Sequence, residues 1–274
     1  MTADASRLVG VIRVGSGPDV RAHDHAAAEE PLEIRLGASP FVVIMRTPGR
    51  DRELAAGFLL SERLIRGPGD IGTIRHCTDG DDAARANVLN VWLAGAAAEQ
   101  VPVKLAERRL VAANSSCGVC GRRSIDDLMG SLPTIDGGWT VSRDVIVSLP
   151  DRLRRTQRTF DETGGLHGAG LFDLEGTLIV SAEDVGRHNA VDKVIGGEVL
   201  RGRVPMDERM LFVSGRTSFE IVQKAVVAGI PLVAAVSAPS SLAIDTAREA
   251  GVTPVGFVRG ATFNIYTAPG RIGT

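Results

Sequence analysis

Two cysteines three positions apart are the residues of this sequence best suited to chemistry. Cys117 and Cys120 lie in the segment NSSCGVCGRR, residues 114–123. A CxxC pair commonly serves as half of a zinc site, as a redox dithiol, or as a nucleophilic thiol with a neighbour. The sequence has no second CxxC, which disfavours structural zinc. The other possible ligands are scattered along the chain: Cys77, His76, His167 and His188.

The surroundings of the pair favour a nucleophilic thiolate. Arg122 and Arg123 follow directly, and nearby positive charge lowers the pKa of a thiol. Gly118 and Gly121 expose the pair on a loop. A thioredoxin-type site would instead follow a strand of an N-terminal βαβ unit, whereas this pair follows a polar loop.

The C-terminal half of the chain alternates between predicted strands and helices. Strands are predicted over residues 210–213, 232–236 and 254–258, with helices over 217–228 and 239–250 between them. This β-α-β-α-β pattern with short loops predicts a parallel sheet covered by helices. Because the carboxyl ends of parallel strands meet at one edge, the loops that follow them should lie together.

These three loops are rich in hydroxyl groups, glycine and arginine. They read SGRTS at 214–218, SAPSS at 237–241 and RGAT at 259–262. Arginine donates two parallel hydrogen bonds to phosphate, and glycine allows close approach of the backbone. A phosphate-bearing ligand such as a nucleotide would fit this edge. Helix capping by Ser and Thr, with glycine in turns, explains each loop equally well taken singly.

Two further segments concentrate polar residues. Residues 163–170 read TGGLHGAG and place His167 in a Gly-rich bend, and residues 183–189 read EDVGRHN. A lone histidine is more often structural than catalytic. The density of acid, arginine and histidine in the second segment nevertheless favours Arg187 and His188 as site residues. Glu183 and Asp184 form a possible acid pair, although helix capping also explains Asp184.

The remaining pattern predicts the elements around these motifs. Residues 14–30 lack a strand or helix period and predict a flexible lead-in, in which His23 and His25 form a possible metal-binding pair. The rest is expected to contain a hairpin turning at 37–40, a helix in 50–65, a strand over 87–93, a hairpin around 174–176, and a helix over 187–195 capped by Asp184 and ended by Gly196 and Gly197.

Composition excludes several classes of protein. The 31 Lys and Arg residues against 33 Asp and Glu give a net charge of −2, which provides no overall positive field for nucleic acid or an anionic membrane. No apolar stretch approaches the roughly 20 residues that cross a bilayer, and no secretory signal is evident at the start. Three cysteines are too few for a disulfide scaffold, so the expected compartment is the cytoplasm.

Five segments together resemble the formate dehydrogenase accessory sulfurtransferase family, also called FdhD or NarQ. They are SSCGVCG, GGLHGAGLF, EDVGRHNAVDKVIG, SGRTSFEIVQKA and VGFVRGATFNIY. The resemblance implies an α/β fold in which a cytidine-deaminase-like C-terminal domain, 111–274, contains the parallel βαβαβ unit. The residue pattern itself predicts that a flexible lead-in, 1–30, and a small α+β domain, 31–110, precede this domain. The resemblance also implies a cytoplasmic homodimer.

The resemblance further implies a sulfurtransferase activity. Such proteins accept sulfur from a cysteine desulfurase as a cysteine persulfide. They pass it to the molybdenum of bis(molybdopterin guanine dinucleotide), the cofactor destined for the catalytic subunit of formate dehydrogenase. Carried onto this sequence, Cys117 bears the persulfide and Cys120 is its partner. The family's cofactor-binding segment falls on Phe257, Val258, Arg259, Gly260, Ala261 and Thr262.

Within this reading, Arg216 is predicted to contact a phosphate, and no residue is expected to hold a metal of the protein's own. A zinc deaminase is disfavoured because HxE and PCxxC signatures are both missing from the sequence. The alternative function is a chaperone that binds the cofactor and docks the target enzyme without moving sulfur.

Overall fold

The computed structural model describes residues 4–109 and 132–273. In the first range, two strands pair as an antiparallel hairpin, four strands form a sheet in the order β4-β3-β6-β5, and three helices lie beside it. The strands are β1 (Ser6–Arg13), β2 (Val20–Ala27), β3 (Glu30–Leu36), β4 (Ser39–Arg46), β5 (Ile71–His76) and β6 (Val88–Leu93). The helices are α1 (Asp51–Ser61), α2 (Asp82–Asn87) and α3 (Gly95–Arg109), with a 3₁₀ turn over Pro68–Asp70.

Several predicted elements of this part are confirmed. The β3–β4 hairpin turns at Gly37, whose φ of +61° suits glycine, and α1 and β6 lie where they were expected. The hairpin of β1 and β2 was not predicted: it occupies residues that were expected to form the lead-in. Apolar and polar residues alternate only weakly along these two strands, because neither strand buries one face in the core. The usual sequence signal of a strand is therefore weak here.

The second range contains a six-stranded mixed sheet in the order β13-β12-β11-β10-β8-β9, with helices on both faces. Its strands are β8 (His167–Phe172), β9 (Leu178–Asp184), β10 (Met210–Val213), β11 (Leu232–Ala235), β12 (Thr253–Arg259) and β13 (Thr262–Ile265). The helices are α4 (Arg143–Arg154), α5 (Arg158–Thr163), α6 (Arg187–Leu200), α7 (Phe219–Ala228) and α8 (Ser241–Ala250). A short pair, β7 (Val141–Ser142) and β14 (Ile272–Gly273), and a 3₁₀ turn, Pro269–Arg271, complete it.

The predicted β-α-β-α-β unit is confirmed. Strands β10, β11 and β12 are parallel neighbours, joined by α7 and α8, whereas β8 and β13 are antiparallel to the strands they flank. The two faces of this sheet bury different cores. Leu211 and Val233 pack in the cluster that includes α1, α6, α7 and α8, and Phe212 and Leu232 pack in the cluster that includes α4. Burial on both faces explains why these strands are uninterrupted apolar runs.

Helix α6 does not end at Gly196 and Gly197, as the sequence had suggested, but continues to Leu200. The glycines have another role, because α6 crosses α1 at very short distance. A Cβ atom on Gly196 would lie 1.8 Å from the carbonyl oxygen of Glu53, and one on Gly57 of α1 would lie 2.0 Å from that of Asp192. The crossing therefore requires glycine on both helices.

In the two described ranges, no helix combines the length and apolar character needed to cross a membrane.

The α1–α6 crossing gives a direct test of packing. Gly196→Ala is expected to lower the free energy of unfolding by about 2 kcal/mol or more, because the new methyl group forces two backbones apart. Urea denaturation measures the change. Gly197→Ala is the matched control, because the atoms nearest to its Cβ are the ends of the Arg50 and Arg201 side chains. Equal stability of the two variants would contradict the role given to the crossing.

Candidate functional site

The loops after β10, β11 and β12 meet at one edge of the six-stranded sheet, as the sequence predicted. The first two loops are joined by a parallel bridge between Thr217 and Pro239. The backbone N–H of Thr217 donates to the carbonyl of Ala238 at 3.2 Å. The end of β12, next to the third loop, joins them where the N–H of Phe257 donates to the carbonyl of Ser237 at 3.2 Å. Backbone hydrogen bonds thus fix the relative positions of all three loops.

The end of β12, just before the third loop, combines an unusual backbone with an exposed aromatic ring. Phe257 has a φ of +54° and is 38% exposed. A bulky residue in this region is a genuine outlier, and such strain is concentrated at functional sites. Arg259 lies with its guanidinium 5.5 Å from the centre of the Phe257 ring, and its Nε donates to the carbonyl of Val236 at 2.9 Å. The two side chains form a cationic and aromatic surface.

The other residues of the predicted cofactor-binding segment differ in what they can offer. Val258 is buried in the core, so it can reach a ligand only through its backbone. Gly260, Ala261 and Thr262 are exposed, and the hydroxyl of Thr262 donates to the carbonyl of Arg259 at 3.1 Å.

Arg216 is exposed on the loop after β10, and within the described ranges its side chain has no hydrogen-bond or ion-pair partner. A free guanidinium at this position can pair with a phosphate.

The two polar segments found in the sequence reach the same edge. Strand β8 runs antiparallel to β10, so its first residue, His167, lies beside the loop that follows β10. A Cβ atom on Gly215 would lie 3.4 Å from Nδ1 of His167 and 4.0 Å from Cδ of Arg187. Ser214 joins the loop to β8, because its Oγ accepts from the N–H of Gly168 at 2.8 Å. The edge therefore gathers His167 and Arg187 around the first loop.

His188 contacts a carboxylate, a pairing that the sequence did not predict. Its Nε2 lies 2.7 Å from Oε2 of Glu220, 3.2 Å from the hydroxyl of Ser218, and 3.3 Å from Nε of Arg187. One ring nitrogen cannot donate to the carboxylate and accept from the guanidinium at once, and the shorter contact identifies Nε2 as the donor. Glu220 lies in the first turn of α7. A carboxylate there stabilises the positive end of the helix dipole, so the sequence alone gives no reason to expect a contact with His188.

The pKa values at this edge follow from burial and charge. Burial raises the pKa of Glu220, but the hydrogen bond and charge of His188, with Lys224 and Arg187, outweigh it and lower the pKa below its ordinary value. Burial lowers the pKa of His167, and the positive charges of Arg187 and His188 lower it further, against the opposing effect of Asp184. Both effects favour the neutral form of His167.

Asp184 holds the second polar segment in place from within the core. It does not cap α6, which begins after Gly186 without a side-chain cap. Instead it is fully buried, and its Oδ2 lies 2.7 Å from Nζ of Lys193. Its Oδ1 accepts from the N–H of Gly186 at 2.8 Å and from Nδ2 of Asn189 at 2.9 Å. Gly186 and Asn189 lie in or beside the turn that presents Arg187 and His188.

The same network reaches the four-stranded sheet. Oδ2 of Asp184 accepts from the N–H of Thr47 at 3.2 Å, and Lys193 Nζ donates to the carbonyl of Thr47 at 2.8 Å. The hydroxyl of Thr47 accepts from the N–H of Val185 at 3.1 Å, and Asn189 Nδ2 donates to the carbonyl of Met45. The segment after β4 is thereby bound to the segment after β9. Glu183 is not an acid pair with Asp184, because it accepts from the backbone of α5.

Cys117 and Cys120, with the whole CxxC segment, lie outside the described residues. Cys77 is a partly exposed thiol whose Sγ donates to the carbonyl of Asp79. Across residues 4–109 and 132–273, no three His, Cys, Asp or Glu side chains are grouped to hold a metal ion. His23 and His25 lie on β2, facing the partners Gly10 and Leu8 of β1.

Both the sequence and the fold of this chain are similar to those of known proteins. The FdhD/NarQ family model matches residues 27–273. A "Sulfur carrier protein FdhD" of Nocardia farcinica is 48% identical over 266 residues, covering 96% of this chain and 93% of the relative. One of the same name from Streptomyces avermitilis is 48% identical, covering 96% and 94%. A crystal structure assigned to a formate dehydrogenase accessory protein of Desulfotalea psychrophila has a TM-score of 0.77 at 26% identity, covering 98% of this chain and 100% of that one.

The buried pair makes a strong prediction for stability. Asp184→Ala is expected to lower the free energy of unfolding by about 3–5 kcal/mol, because it leaves Lys193 charged and buried without its partner. Asp245→Ala removes an exposed ion pair with Arg248 and is expected to change stability by less than about 0.5 kcal/mol. Chemical denaturation of both variants checks the difference. A loss of similar size in both would show that the Asp184 network does not hold the two sheets together.

Glu220→Gln is expected to reduce the loss of stability in acid. The lowered pKa of Glu220 means that its ionised form stabilises the fold above the ordinary value of 4.5, and that this contribution disappears as pH falls through the folded pKa. Unfolding free energies measured from about pH 6 to pH 3 should fall less steeply in this variant. Glu249→Gln, at an exposed position of α8, should follow the parent curve. Parallel curves for all three proteins would rule out the pair with His188 as a source of stability.

Proposed function

The chain belongs to the FdhD/NarQ family, and on that premise we propose that it is a sulfurtransferase, a sulfur carrier for the maturation of a formate dehydrogenase. Two relatives with nearly half of their residues identical over almost the whole chain are named sulfur carrier proteins, which supports sulfur transfer. The structural relative is assigned to formate dehydrogenase accessory function, which supports the identity of the acceptor.

In this proposal, Cys117 carries the sulfur. Its thiolate attacks the outer sulfur of a persulfide on a cysteine desulfurase. The new bond joins Cys117 to that sulfur, the sulfur–sulfur bond of the donor breaks, and the donor leaves as a thiolate. No external oxidant or reductant is consumed. Cys120, three positions further along the chain, is the partner thiol that accepts the sulfur in turn or displaces it onward. Both roles rest on the CxxC motif and its neighbouring arginines.

The proposed acceptor of the sulfur is the molybdenum of bis(molybdopterin guanine dinucleotide), which is cargo for the protein. The observation that carries this part is the convergence of three loops on one sheet edge, with the exposed guanidinium of Arg216 on the first loop and the strained Phe257 beside Arg259 at the end of β12. Two guanidinium groups suit the pyrophosphate of a dinucleotide, and an exposed ring suits a planar heterocycle. Gly260, Ala261 and Thr262 would contribute backbone contacts.

We also propose the remaining features that the resemblance implies. They are a homodimer in the cytoplasm, the catalytic subunit of formate dehydrogenase as the protein that receives the cofactor, and a cytidine-deaminase-like fold for the C-terminal domain. The mixed six-stranded sheet with helices on both faces is compatible with that fold.

Intact-mass spectrometry tests the sulfur step. After incubation with a cysteine desulfurase and cysteine, the protein should gain the mass of one sulfur atom, and Cys117→Ala should not. Cys120→Ala should still gain it. The reverse pattern would exchange the two roles. No gain in any form, with both thiols accessible, would favour a cofactor-binding chaperone that moves no sulfur.

A second experiment tests whether the edge of the six-stranded sheet binds a guanine nucleotide. Arg216→Ala is expected to weaken the binding of GDP about tenfold or more, because it removes a charge-assisted hydrogen bond to phosphate. Isothermal titration calorimetry measures the affinity. Arg248→Ala, which removes an exposed guanidinium on α8, is the control and should leave it unchanged. Unchanged affinity in Arg216→Ala would remove this residue from the site.

A further inference from the structure

A cavity of about 540 Å³ adjoins the edge site on the α4 side of the six-stranded sheet. Apolar side chains of Leu153, Phe160, Leu166 and Phe212 line much of it. His167 and Ser214 line it as well, and both also belong to the edge where the strand loops meet. The cavity is therefore continuous with the edge, and it has the size and apolar walls of a pocket for part of a small molecule.

One polar side chain in this cavity has no partner. Gln157, between α4 and α5, is only 4% exposed and lines the cavity. Throughout the described residues, no group forms a hydrogen bond with its side-chain amide, although its backbone carbonyl accepts from Arg154. Unlike Nε2 of Gln223, the amide nitrogen and oxygen of Gln157 are not fully enclosed by protein, so they remain accessible from the cavity. An accessible amide on the wall of a cavity offers a hydrogen-bond donor and an acceptor to a ligand.

The neighbouring glycine keeps the amide in this position. A Cβ atom on Gly168 would lie 2.6 Å from Nε2 and 2.8 Å from Cδ of Gln157. The Gly-rich segment before and within β8 thus has a specific purpose: it leaves room for the amide of Gln157 to lie against the strand. The other polar side chains at the wall are those of Asp151, Arg154, His167 and Ser214. Arg154 is paired with Asp161, and burial lowers the pKa of His167, which favours its neutral form.

We propose that this cavity binds the planar heterocycle of the cargo, with the amide of Gln157 pairing with adjacent N–H and C=O groups on the ring edge. An amide has one acceptor and two donors, which match a lactam edge in a bidentate arrangement. The partly exposed phenyl ring of Phe160 provides apolar surface for the heterocycle, whereas Phe212 is only 1% exposed and closes the wall from behind. Guanine and pterin both carry such an edge, and both occur in the cargo of the proposed function, on which the identity of the ligand depends.

The test uses two probes and three variants of the full chain. GDP presents guanine, and pterin-6-carboxylate presents pterin. Gln157→Leu removes the amide but keeps an apolar side chain of similar size. Gly168→Ala displaces the amide without removing it, because the atoms it contacts are the end of a flexible side chain. Gln223→Leu is the matched control: Gln223 is buried to a similar degree with an unpartnered Nε2, but it lies on α7 and does not line the cavity.

Dissociation constants by calorimetry decide between the outcomes. We expect at least one probe to bind about tenfold or more weakly to both Gln157→Leu and Gly168→Ala, with Gln223→Leu unchanged. The probe that loses affinity identifies the ring as guanine or pterin. Thermal unfolding midpoints at or above that of the parent would show that Gln157→Leu folds. If both probes bind Gln157→Leu as tightly as the parent, or if neither binds the parent, the inference is overturned.

This result is separable from that of the proposed function. Sulfur gain at Cys117 requires no heterocycle, so a protein that gains sulfur but binds both probes independently of Gln157 would overturn only the cavity assignment. If the parent protein gains no sulfur but its affinity for a probe falls on Gln157→Leu, the cavity assignment is supported and the sulfur-carrier function is overturned.

Discussion

The buried ion pair between Asp184 and Lys193 connects the four-stranded sheet, the end of β9 and helix α6. Both groups are almost completely buried, so each is stable only in the presence of the other and of the hydrogen bonds around them. Those bonds come from the backbone of Thr47 and the side chain of Asn189. Two sheets and the start of α6 are thereby fixed to one another, and the turn with Arg187 and His188 is presented to the edge site.

The edge site and the cavity share this support. Strand β8 lies between them: Gly168 pairs with Ser214 on the edge and allows Gln157 to approach from the cavity. A ligand bound across the edge and the cavity would contact the arginine and hydroxyl groups of the loops, which suit phosphate, together with the apolar walls of the cavity. The close α1–α6 crossing at Gly196 packs against the opposite face of the sheet. In our proposal, the edge and the cavity therefore form one continuous site on a sheet that is packed on both faces.

The sequence predicted the parallel unit and the shared edge of its loops because both follow from local periodicity and chain direction. It failed where a residue's role depends on distant partners. Asp184 looked like a helix cap, since nothing local reveals that Lys193 and Thr47 surround it. Gly196 looked like a helix end, since a crossing helix leaves no local signal. Gln157 was missed because a single polar residue between two helices resembles an ordinary surface position.

Hydrogen–deuterium exchange of the protein with and without GDP tests the assignment of the edge most directly. Binding should slow exchange at residues 214–218, 237–241 and 257–262 together, because a ligand across the edge shields all three loops from solvent. Protection confined to the β1–β2 hairpin, or absent from all three loops while calorimetry shows that GDP is bound, would contradict the account.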